Sequence, residues 1–128
     1  MKKDKILITG GAGCLGINLV NHFLKKGSEI LIIDNFATSE KSSLDAFNEI
    51  NIIEGNIENQ KTVNDAFNNF KPDIVIHSAA SYKDPLDWES DSKSNILGSL
   101  NISQASEKFE VKQIINFQTS LCYGNPKK

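Results

Sequence analysis

The chain has 128 residues, 39% apolar and 23% charged, and a net charge of −2. That length builds one domain with a substantial core and leaves no room for a second of similar size. The acidic balance and the lack of a basic cluster argue against nucleic acid or an anionic membrane as partner. Lys2, Lys3 and Lys5 precede only the short apolar run Ile6–Ile8, too little for a signal peptide or a membrane span, so a cytosolic protein is expected. Cys14 and Cys122 lack metal-ligand spacing and are expected to be free thiols, with no metal site.

In chain order, apolar runs predict strands at Lys5–Thr9, Glu29–Ile33, Asn51–Glu54, Asp73–His77 and Gln113–Phe117. Between them, helical spacing predicts helices from about Leu15 to Lys26, Gln60 to Phe70 and Ser90 to Phe109, and a short helical piece from Ser43 to Asn48. Gly27 is placed to end the first helix and Pro72 the one from Gln60 to Phe70. Continuous Ile, Val and Leu runs, rather than alternation, imply five buried strands in a parallel sheet covered by helices on both faces, a doubly wound α/β domain. Ligands of such sheets lie beyond the carboxyl ends of the strands, so the residues just after each run carry the chemistry.

The first strand ends in spaced glycines that open into a helix, readable as Gly10-x-x-Gly13-x-x-Gly16 or Gly11-x-Gly13-x-x-Gly16. One glycine makes the tight turn, the middle one lets phosphates approach the backbone, and the last lets helix and strand pack closely. The helix N-terminus then faces the turn with unpaired N–H groups and a positive dipole end, which suits a diphosphate. Asp34 closes the second strand, twenty-odd residues beyond the glycines; a carboxylate there accepts from ribose hydroxyls and repels a 2′-phosphate, which favours NAD over NADP. Small residues after the third and fourth strands, Gly55–Ile57 and Ser78–Ala80, leave room for a ligand against backbone. His77 is read as a packed, hydrogen-bonded side chain and His22 as a surface or packing residue. Thr119 and Ser120, after the last strand, are hydroxyls placed toward the nicotinamide and a substrate.

Taken together, Thr9–Gly16, Asp34–Asn35, Gly55–Ile57, His77–Ala80, Asn95–Gly98 and Thr119–Gly124 resemble the extended short-chain dehydrogenase/reductases, specifically the NAD-dependent epimerase/dehydratase family acting on nucleotide sugars. The resemblance runs through the whole chain in order. Ala79–Pro85, Asp87, Trp88 and the closing Gln118–Gly124 are similar to epimerases of surface-polysaccharide biosynthesis. The resemblance implies a Rossmann domain in which Gly10, Gly13 and Gly16, with the amides of Cys14 and Leu15, hold the NAD pyrophosphate. It implies Asp34 and Asn35 at the adenosine ribose, Asn56 and Ile57 at the adenine, and Ser78, Ala79 and Ala80 along the path to the nicotinamide. Asn95 resembles the family's structural Asn beside the active site, counted with the cofactor-binding set, and Thr119 the Ser/Thr that hydrogen-bonds the reacting sugar oxygen. A nucleotide-sugar substrate and a homodimer of the full-length relative are the implied partners.

Two departures stand out. Asn56 replaces the family's usual Asp and loses the strength of a charged acceptor. The family's Tyr-x-x-x-Lys pair, in which the Lys lowers the Tyr pKa for proton transfer, has no counterpart downstream of Thr119. Tyr123 and Lys127 have the spacing, but sharing one face at i and i+4 needs a helix, which Gly124, Asn125 and Pro126 disfavour. Residues 1–128 are therefore expected to be the NAD-binding part of such a protein, a fragment or natural truncation lacking the catalytic pair and the substrate-binding region, and inactive or nearly so alone. An NAD-binding regulatory module working through a partner, and a remnant without function, are the competing expectations.

Overall fold

The computed structural model describes residues 3–119. Five parallel strands, β1 (Lys5–Thr9), β2 (Glu29–Asp34), β3 (Ile50–Glu54), β4 (Ile74–His77) and β5 (Gln113–Asn116), form one sheet in the order β3-β2-β1-β4-β5. The order reverses direction at β1, so the crevice between the ends of β1 and β4 is the topological switch point of the sheet.

The period of two along each strand splits the core into two layers. Leu7, Leu31, Ile33 and Val75 face Val63, Ala66 and Phe67 of helix α2 (Gln60–Phe70) and Ile102 and Ala105 of a later helix. Ile6, Ile8, Ile30, Ile32 and Ile76 face the other way, toward Val20, Phe23 and Leu24 of helix α1 (Cys14–Lys25), with Leu44 closing the layer. A fully buried side chain such as Phe67 contributes roughly 1.5–3 kcal/mol.

Helix ends follow local chemistry. After α1, Gly27 N–H donates to Leu24 O and Ser28 N–H to Phe23 O, a Schellman closure. Asn59 caps α2 by accepting from Lys61 and Thr62 N–H, and α2 stops at Phe70 because Lys71, preceding Pro72, turns left-handed at φ 52°.

Three sequence expectations are corrected. Only β1, β2 and β4 are buried along their length; β3 and β5 are the sheet edges and largely exposed, since the helices cover the centre. The piece expected at 43–48 is a single 3₁₀ turn at Lys41–Leu44, with only Leu44 buried to hold it. The helix expected from Ser90 starts two residues earlier, as α3 (Trp88–Asp91) capped by Asp87, widens into a π-helical stretch at Ser92–Gly98, and continues as α4 (Ser99–Lys108). Hydrophobic periodicity does not distinguish i→i+5 from i→i+4 hydrogen bonding. Among the described residues no helix is long and apolar enough to cross a membrane.

Candidate functional site

The site is built at the carboxyl ends of the strands. β1 ends at Thr9, and Gly10 takes the left-handed turn at φ 68° while its N–H donates to Ile33 O at 2.9 Å. A Cβ on Gly10 would lie 2.9 Å from the Ala79 backbone, and one on Gly16 would run into Gly10 O and the Gly11 backbone. Gly11 is closed as well, since a Cβ there would lie 2.5 Å from Cγ2 of the buried Ile32, so the turn uses both glycine spacings, Gly10-x-x-Gly13-x-x-Gly16 and Gly11-x-Gly13-x-x-Gly16. Gly13 N-caps α1 without a side-chain acceptor, and the first turn of the helix carries no acidic residue. Cys14 and Leu15, both exposed residues, thus start a helix whose positive end no side chain in the first turn neutralises.

Asp34 is nearly buried and works within the fold as well as at its edge. Its Oδ2 accepts from Ala12 N–H at 2.9 Å, and its Oδ1 from Phe36 N–H at 2.8 Å. Each carboxylate oxygen has two acceptor positions, so the group can hold the glycine turn and still receive hydroxyls from a ligand. One residue further, Asn35 donates from Nδ2 to Asn56 Oδ1 at 2.6 Å and bridges the loops after β2 and β3. Ile57 is buried against the close approach of Gly98, and its carbonyl and that of Glu58 both accept from Asn101 Nδ2 at 2.9 Å.

Beyond β4, Ser78 Oγ donates to Thr9 O at 2.7 Å and Ala79 N–H donates to Thr9 Oγ1 at 3.2 Å, which pins this segment against the turn. His77 is buried beside Thr9, its register partner across β1 and β4. Nδ1 lies 2.7 Å from Thr9 Oγ1 and Nε2 2.9 Å from Ser99 Oγ. Thr9 Oγ1 and Ser99 Oγ can each donate or accept, so the two hydroxyls satisfy both ring nitrogens of the neutral imidazole in either tautomer. Burial pushes the imidazole pKa down from its ordinary value. His77 is thus a structural link from the turn to α4.

Of the residues singled out in the sequence, Gly10, Gly13, Asp34, Asn35, Asn56, Ile57, Ser78, Ala79 and Ala80 line a single cleft. Cys14, Leu15 and Gly16 sit at the α1 N-terminus beside it. Asn95, in the π-helical stretch, clamps the Ser81 backbone, accepting from its N–H at 2.8 Å and donating to its carbonyl at 2.9 Å. Thr119 follows β5 and is exposed. Ser120, Cys122, Tyr123 and Lys127 lie outside the described residues; Cys14 is a free, exposed thiol. Thr38, Ser39, Tyr82 and Ser94 also line the cleft and were not anticipated: the first three lie in loops, where hydroxyl-bearing residues give no periodic signal, and Ser94 lies in the π-helical stretch. The Thr9 and His77 pair, by contrast, is deducible once the two strands are set side by side.

The model of the NAD dependent epimerase/dehydratase family matches residues 6–128. A UDP-glucose 4-epimerase of Lactobacillus helveticus is 30% identical over 130 residues, covering 97% of this chain and 38% of that protein. The Bordetella bronchiseptica enzyme WbmG, solved in complex with NAD and UDP, superposes with a TM-score of 0.94 at 50% identity, covering 99% of this chain and 41% of that one. The UDP-glucose 4-epimerase of Thermotoga maritima, solved with UDP-glucose, gives 0.89 at 30% identity over 97% of this chain and 41% of that one. The chain spans about two fifths of the length of these relatives. With its glycine turn, its Asp34 and its strand order all in the matched region, the chain belongs to the NAD dependent epimerase/dehydratase family.

Proposed function

We propose that residues 1–128 form the NAD-binding portion of a nucleotide-sugar epimerase or dehydratase whose full-length form acts on a UDP-sugar. The observation that carries the reading is the turn from Gly10 to Gly16, packed to backbone contact and opening on the uncapped N-terminus of α1 beside the cleft that Asp34 lines. These residues fit NAD. A side chain at Gly10 or Gly16 would destroy the turn, whereas the only atom a Cβ at Gly13 would meet is Gly10 O at 3.3 Å, which leaves its outer side open to a phosphate. Gly13 and the amides of Cys14 and Leu15 would hold the pyrophosphate, Asp34 and Asn35 the ribose, Asn56 and Ile57 the base, and Ser78, Ala79 and Ala80 the approach to the nicotinamide, with Asn95 steadying the segment after Ala80 through Ser81.

NAD held in this cleft would supply a reversible hydride acceptor for a sugar carbon. The chain's own part is to orient: Thr9 fixes Ser78 and Ala79, and Thr119 would hold the reacting sugar oxygen by its hydroxyl. Moving the sugar proton requires a base, and His77 does not supply it, being buried between Thr9 and Ser99. The 128 residues alone are therefore proposed to bind but not to turn over. A homodimer belongs to the same proposal and is supported by exposed Trp88, Ile96 and Leu100 along the 88–108 stretch, apolar surface that a second copy would cover. A cytosolic setting is supported by the free thiol of Cys14.

Calorimetric titration with NAD and NADP tests the binding half: saturable NAD binding with weaker NADP binding is expected, and no saturable binding would sink the reading. Incubation with NAD and UDP-glucose, following C4 interconversion, tests the other half, and turnover by these residues would contradict it.

A further inference from the structure

The loops after β2 and β3 meet through two amides whose polarity the backbone sets. Asn35 Oδ1 accepts from Ala37 N–H at 3.1 Å, so the Asn35 atom that faces Asn56 is Nδ2, and it donates to Asn56 Oδ1 at 2.6 Å. Asn56 thus has its carbonyl committed toward Asn35 with one acceptor position remaining, and its NH₂ group as the donor left for a ligand in the cleft it lines. Its backbone is held as well, since Asn59 N–H donates to Asn56 O at 3.1 Å and Asn101 grips the next two carbonyls. The exposed Asn56 amide is thus oriented within the cleft wall by its bond to Asn35 and by the held backbone beneath it.

Topology says what it faces. Asp34 ends β2 and takes the ribose; β3 lies on the side of β2 away from β1, so the group beyond the ribose, the purine, extends toward Asn56. A carboxylate at that position accepts only, which suits a 6-amino purine and opposes a 6-oxo purine. An amide pairs with both: it accepts from an exocyclic amino group on Oδ1, or donates from Nδ2 to an exocyclic oxygen. We propose that Asn56 makes the base subsite tolerant of a 6-oxo as well as a 6-amino purine, so that the chain takes nicotinamide hypoxanthine dinucleotide nearly as well as NAD. This rests on the assignment of a dinucleotide to the cleft.

Calorimetric titration of the full 128-residue chain and of Asn56→Asp with NAD and with nicotinamide hypoxanthine dinucleotide tests it. Wild type is expected to bind the two within about fivefold, and Asn56→Asp to widen that ratio by at least about fivefold, the low end of discrimination by one base contact. The variant's own NAD binding reports that it is folded. NAD binding with a wild-type ratio well above fivefold, or a ratio that Asn56→Asp leaves unchanged, overturns the proposal while sparing the NAD assignment. Binding of neither dinucleotide by wild type overturns both.

Discussion

The carboxylate of Asp34 accepts the backbone N–H of Ala12 through Oδ2 at 2.9 Å, so the residue that closes β2 also holds the turn that follows β1. The second oxygen accepts from Phe36 N–H. One side chain therefore ties two of the loops that make the cleft, and its loss is expected to reach beyond ligand contact.

Asp34→Ala is expected to lower stability by about 2–4 kcal/mol, because two N–H groups lose their acceptor and at least one is buried. Asp34→Asn keeps an acceptor for one N–H but turns its NH₂ against the other, so it is expected to recover only part of that loss while still weakening NAD binding. Urea denaturation of the three proteins, paired with NAD titration, checks the ordering.

The glycines of the turn are expected to separate by role. Gly16→Ala forces a methyl into Gly10 O and the Gly11 backbone, which cannot retreat like a side-chain end, and a loss of about 2–3 kcal/mol is expected. Gly13→Ala meets only Gly10 O at 3.3 Å, and should change stability by under about 1 kcal/mol while lowering NAD affinity at least about tenfold by obstructing the phosphates. Equal stability loss at both positions would contradict this division.

His77 should leave a mark on the pH dependence of stability. Its folded pKa is lowered by burial from the ordinary value near 6.5, so the unfolded chain binds more protons below that pH. Its contribution is present above about pH 6.5 and is lost as the pH falls toward the folded pKa. His77→Gln should therefore flatten the acid side of the stability profile. Chemical denaturation at intervals from pH 5 to 8 would expose a steeper wild-type decline, and parallel profiles would refute the link.

Asn101 is expected to matter although it does not line the cleft. Its buried Nδ2 donates to the carbonyls of Ile57 and Glu58 across 44 and 43 residues. Asn101→Ala should cost about 1–3 kcal/mol and weaken NAD binding by loosening the segment that carries Asn56. Asn101→Asp sets a carboxylate against two carbonyl oxygens and should cost more. Thermal melts rank the pair, and NAD titration of Asn101→Ala reads the coupling.

The parallel sheet, the glycine turn and the position of Asp34 were readable from the chain because each is a local or periodic requirement. A buried strand needs a continuous apolar run, a left-handed turn at Gly10 needs a residue without Cβ, and α1 needs its apolar spacing to lie on the sheet. The exposure of β3 and β5 was not readable in this way, because an edge strand and a central strand have the same apolar spelling and differ only in neighbours. The π-helical stretch at Ser92–Gly98 was equally silent.

From sequence alone came the fold class, the family resemblance and the residues that end each strand, since these follow from spacing and from side-chain chemistry at fixed places along the chain. Tertiary structure alone decided what those residues do to one another. Asp34 reaches back 22 residues to Ala12, His77 stands between Thr9 and Ser99, and Asn35 turns the carbonyl of Asn56 toward itself. Such pairings depend on which strand ends the sheet brings side by side and on which hydrogen-bond partners burial leaves within reach, and neither is written in any one segment.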